Sequence, residues 1–71
     1  MLIHFVRQRF IMEKLLERYL KSVENCEYIN IRNWYVDGAT CFVEYYTDES
    51  KYYKEAKNIN VWDMLVFLNV A

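Results

Sequence analysis

The sequence predicts an α+β domain in the order αβββα, an antiparallel meander sheet packed by an N-terminal and a C-terminal helix. Three observations lead there. Apolar residues recur at helical spacing from the start of the chain to about Glu24, with no glycine or proline among them. A β-branched and aromatic run, Tyr28 to Tyr46, is divided by Asp37-Gly38, which holds the only glycine in the chain. Asn60 then stands as a cap at the head of a closing apolar segment.

The first helix rests on Leu2, Phe5, Val6, Met12, Leu15, Leu16, Tyr19, Leu20 and Val23. Glu17 and Lys21 stand in the favourable i, i+4 order, and Glu13, Lys14 and Arg18 fill the wet side. The amphipathic pattern is cleanest from Met12 to Val23. Residues 1–11 add Ile3, Phe10 and Ile11 on other sides of the cylinder, and a continuous helix of ~23 residues would run ~35 Å, more than so small a domain covers. The first turns therefore either project and pack on a partner or form a separate helical extension. A homodimer is expected, with Phe5, Phe10 and Ile11 as its self-association residues. The helix should stop near Glu24-Asn25, because asparagine tolerates the left-handed conformation of a C-terminal cap.

Around Asp37-Gly38 the loop length decides which residues share a sheet face. A two-residue Asp37-Gly38 loop mixes apolar and charged residues on both faces. A three-residue Val36-Asp37-Gly38 loop, with Gly38 left-handed, gives a core face of Ile29, Ile31, Asn33, Tyr35, Ala39, Cys41, Val43 and Tyr45. It leaves Tyr28, Asn30, Arg32, Trp34, Thr40, Phe42, Glu44 and Tyr46 on the other face. We prefer the second register for its nearly apolar face. The polar cluster Thr47 to Ser50 ends the strand. Residues 51–57 read as a third strand with Tyr52 and Ala56 toward the core; a helix opened by Thr47 is the competing reading. Asn60 then caps a helix from Val61 to Val70, with Asp63 in the first turn and Ile59 placed to staple onto Met64.

Seventy-one residues make one domain, and 55% hydrophobic with 18% aromatic content argues against disorder. A formal charge of -1 gives no global attraction to nucleic acid or acidic lipid. Cys26 and Cys41 lack a CxxC or clustered histidines and read as reduced thiols in a cytoplasmic protein. The first apolar run, broken by His4, Arg7, Gln8 and Arg9, does not read as a secretory signal, and no stretch reads as membrane-spanning.

One glycine excludes both the GxGxxG fingerprint and the P-loop. His4, Cys26 and Cys41 stand at unrelated spacings, which argues against a zinc site and against a Cys-His nucleophile. No catalytic residue, cofactor or metal ligand is therefore assigned, and the chain is read as non-enzymatic. What remains is surface. Tyr28, Arg32, Trp34, Phe42 and Tyr46 combine the side chains that anchor protein interfaces, and we read them as a protein-binding face. The alternative is single-stranded nucleic acid stacked on the same aromatics, weakened by the lack of excess positive charge. The bland reading is that one of the protein's own helices covers them.

In size, slight acidity, tyrosine and asparagine content and lack of catalytic signatures, the chain resembles the small accessory proteins of bacteriophages and mobile elements. Many of these inhibit host machinery. The resemblance implies a stoichiometric inhibitor or adaptor acting by occlusion; it is one of size and composition and extends to no residue.

Overall fold

The apolar period of the first segment carries through its whole length. In the computed structural model, α1 is a single helix, Leu2–Val23, of 22 residues. The structure describes residues 2–50 and 52–70, with side chains from residue 9 onward. From Leu2 on, the expected extension is thus the first half of α1. At 1.5 Å per residue α1 is ~33 Å long, and the molecule's longest dimension is 37 Å. Leu16 and Leu20 are fully buried, with Met12, Leu15 and Tyr19 packed beside them. The helix stops where asparagine was expected to stop it. Asn25 takes φ 53, its N–H donates to the Ser22 carbonyl and that of Cys26 to the Lys21 carbonyl, the two bonds of a Schellman motif.

Three strands follow: β1 (Ile29–Asp37), β2 (Thr40–Thr47) and β3 (Glu55–Asn60), then α2 (Val61–Phe67). They form one antiparallel sheet in the order β1-β2-β3, so the αβββα meander is as predicted. Its register is not. The loop is Gly38-Ala39, closed by Asp37 opposite Thr40. Gly38 has φ 63 and Ala39 is not among the positive-φ residues, which is the pattern of a type II′ turn.

A bulge reconciles this loop with a buried face. Ile31 lies opposite Tyr45 and Asn33 opposite Glu44, leaving Arg32 as the extra residue. Without it, the alternation that buries Ile29 and Ile31 would turn Trp34 to solvent. With it, Trp34 falls opposite Val43 and joins Ile29, Cys41, Val43 and Tyr45 in the core. This corrects the predicted faces: Trp34 is inside, while Asn33 and Tyr35 are exposed.

The third strand also differs, starting at Glu55 rather than residue 51. Thr47 Oγ1 accepts from the N–H groups of Glu49 and Ser50, and Ser50 Oγ accepts from the N–H of Thr47. These bonds, with Tyr53 N–H to the Ser50 carbonyl, place Thr47 to Ser50 and Tyr52 to Tyr53 in turns ahead of Lys54, and residue 51 of the predicted strand lies outside the described residues. Ile59 then sets the register, since it is the one aliphatic β-branched residue available and it enters the core opposite Cys41. Alternation places Glu55 and Lys57 on that same side and leaves Ala56 and Tyr52 exposed, Tyr52 by 87%, against the predicted arrangement.

Asn60 caps α2 as expected, its Oδ1 accepting from Asp63 N–H at 3.0 Å. Ile59 and Met64 are both in the buried cluster. The helix ends sooner than predicted, at Phe67, because Asn69 takes φ 62 and a second Schellman pair forms: Asn69 N–H to Val66, Val70 N–H to Leu65.

Candidate protein-contact face

Both helices pack on one side of the sheet. The core cluster takes Leu16 and Leu20 from α1 and Met64 from α2 against Ile29, Trp34, Cys41, Val43, Tyr45 and Ile59. The strand alternation sends Asn30, Tyr35, Phe42, Glu44, Tyr46, Ala56 and Asn58 to the opposite side. Among the described residues no element covers that side.

Tyr35 and Phe42 lie directly opposite each other, and their rings stack at 5.3 Å with an interplanar angle of 29°. Tyr35 remains 56% exposed. Tyr46 and Phe42 are half-buried. Arg32 and Asn33 share the position opposite Glu44 and both are exposed, so the bulge sets two polar residues one step along β1 from the aromatic pair. Glu44 is also reached by Lys54 Nζ at 3.9 Å.

Of the residues expected to form the face, the structure brings Arg32, Phe42 and Tyr46 together, with exposed Tyr28 just before β1. Trp34 does not belong to it. Only 9% of it is exposed, its Nε1 donates to Glu13 Oε1 at 3.1 Å, and the Arg9 guanidinium lies 4.2 Å from its ring centre. The residue missed was Tyr35, which takes the place assigned to Trp34. The spacing Ile29, Ile31, Trp34, Val36 (steps of two, three and two) was the available signal, since a step of three inside a strand marks a bulge. Of the expected self-association residues, Phe10 and Ile11 are exposed on α1, and the side chain of Phe5 lies outside the described residues.

The titratable groups with displaced pKa values lie on the other side, in the frame. Glu24 Oε2 accepts the Tyr45 hydroxyl at 2.5 Å and sits 3.2 Å from Lys57 Nζ. The hydroxyl's hydrogen bond and then Lys57 hold the Glu24 carboxyl below its ordinary range, with burial opposing. Burial first, and the carboxylate second, push Tyr45 well up. Burial raises both free thiols, Cys41 in the core and Cys26 beside the Tyr28 carbonyl; Asp48 adds to the rise at Cys26. Among the described residues no group of three or more His, Cys, Asp or Glu is placed to hold a metal ion, and no helix is long and apolar enough to cross a membrane. Every buried side-chain oxygen and nitrogen among them has a hydrogen-bond partner. Comparison with protein-family models, curated proteins and solved structures finds no match to this chain.

Proposed function

We propose that this chain is a non-catalytic protein-binding module, an inhibitor or adaptor that occludes part of another protein through its open sheet face. The observation that supports it most is the stacked Tyr35–Phe42 pair on a side that neither helix covers. Rigid aromatic side chains flanked by an arginine and adaptable amides are what interface anchors are made of, and Arg32, Asn30, Asn33 and Asn58 supply the rim. Single-strand stacking on Tyr35 and Phe42 is the second reading. Charge disfavours it, because Glu44 lies within the face and engages Lys54, leaving little for phosphates.

The test is capture by the immobilised chain from a lysate of the cells that encode it, repeated with Tyr35→Ala and Phe42→Ala. Each substitution should weaken the captured interaction by about 1 to 3 kcal/mol while leaving the melting transition cooperative. Capture unchanged in both variants would overturn the reading. Salt-sensitive binding of an oligothymidine, lost in the same variants, would move it to nucleic acid.

A further inference from the structure

The two edges of the sheet are not alike. β3 is six residues long, contains Lys57 and follows Lys54, charges of the kind that discourage edge pairing. β1 is nine residues long, and from Asn33 to Trp34, Tyr35 and Val36 it carries no charge and no proline before Asp37. Its side chains there are also left open on both faces: Tyr35 on the aromatic face, and Val36, 45% exposed, on the helix face.

The main chain is arranged to match. In a two-residue hairpin, Asp37 and Thr40 form a hydrogen-bonded pair, and alternation makes Tyr35–Phe42 another. Trp34 and Val36 are then the non-bonded pairs, with their N–H and C=O groups directed away from β2. The bond from Val61 N–H to the Ala39 carbonyl agrees, because it sets the alternate residues Ala39 and Cys41 to bond toward the β3 side.

We propose that a second copy of this chain occupies this edge, its β1 antiparallel to the first about a two-fold axis at Tyr35, making one six-stranded sheet. In that register Trp34 and Val36 of each copy exchange main-chain hydrogen bonds with Val36 and Trp34 of the other, and the exposed Val36 side chains are covered at the seam. Tyr35 meets its own counterpart on the open face, extending two Tyr35–Phe42 stacks into one aromatic strip. Asp37 meets Asn33, so no like charges are opposed. Pairing through the outer side of α1 lacks this property, since it would gather the exposed cations Lys14, Arg18 and Lys21 of both copies into one seam. The pairing closes on itself, leaving the lysine-bearing β3 edges outermost. Tyr35 belongs to both this edge and the open face, and the two readings are separated by Phe42→Ala, which leaves the edge intact, and Val36→Lys, which leaves the open face intact.

Sedimentation velocity from about 5 to 500 µM tests it. The wild-type chain should move from monomer to twice the mass, and Val36→Lys should raise the dissociation constant at least about tenfold. Val36→Pro should do the same with the fold retained, since the N–H it removes points away from β2. In a Cys26→Ser background, Tyr35→Cys should cross-link rapidly under mild oxidation and Phe42→Cys should not, because residues opposed in a non-bonded pair have the Cα spacing a disulfide needs. A wild-type monomer throughout, or a dimer indifferent to Val36→Lys with no Tyr35→Cys cross-link, would overturn the proposal.

Discussion

The indole of Trp34 donates to Glu13 Oε1 across 3.1 Å, and this bond ties the register of the hairpin to the rotation of α1. Trp34 is the largest side chain on the core face of β1, and Arg9 closes over it from the preceding turn of the helix. Trp34→Ala should therefore cost stability, about 3 to 5 kcal/mol. Glu13→Ala should cost about 1 kcal/mol through the lost hydrogen bond. Urea denaturation of both variants checks the ranking, and equal, small losses would contradict the placement of the indole.

Arg32 is where the two halves of β1 are brought into phase. Its deletion leaves Ile31 opposite Tyr45, Asn33 opposite Glu44 and Trp34 opposite Val43, all on their present faces, now in an unbroken ladder. The deletion variant should keep a cooperative melt. Deleting Tyr35 instead shifts one half against the other and should abolish it. Circular dichroism melts of the two deletions decide, and the reverse ranking would refute the register.

The same residue marks the limit of what sequence reasoning reached. The order of elements was legible because each boundary has a local cause: Asn25 and Asn60 cap, Gly38 turns, and Thr47 to Ser50 break the strand. The β2 faces were legible because Cys41, Val43 and Tyr45 alternate without interruption. On β1 alternation was assumed to be unbroken, so the bulge at Arg32 was missed and Trp34 and Tyr35 exchanged places. In β3 a single aliphatic residue, Ile59, fixes the register against charged neighbours, and a pattern carried by one residue is easily outweighed by Tyr52 and Ala56. Phe42 and Tyr46 still fall on the open face as expected, because the β2 half of that face does not depend on the bulge.

Stability should fall at both ends of the pH scale through one pair. The Glu24 carboxyl, depressed in the fold by the Tyr45 hydroxyl and Lys57, contributes stability that is full above its ordinary pKa of 4.5 and is lost as pH falls through the folded value. The Tyr45 hydroxyl, raised in the fold, contributes stability that is full below its ordinary 10.0 and is lost as pH rises beyond it. Glu24→Gln should flatten the acid limb of a stability–pH profile, and Tyr45→Phe should flatten the alkaline limb. Profiles unchanged in both variants would remove this pair as the cause.

Both helices end on an asparagine in the left-handed region, Asn25 and Asn69. Asn25→Gly should be neutral or mildly stabilising, and Asn25→Ala should cost about 1 kcal/mol, since alanine has no easy access to positive φ. Thermal melts should order the three chains glycine, asparagine, alanine, or tie the first two. Alanine matching glycine would show that the cap carries no conformational demand.

The claim that the open face is the contact surface is tested most directly by hydroxyl-radical footprinting of the chain alone and with its captured protein, using Val36→Lys to hold it monomeric. The account predicts that oxidation of Phe42, Tyr46 and Tyr35 falls several-fold on complex formation, while oxidation of Trp62, exposed on α2 away from that face, is unchanged. Protection of Trp62, with Phe42 and Tyr46 oxidised as in the free chain, would contradict it.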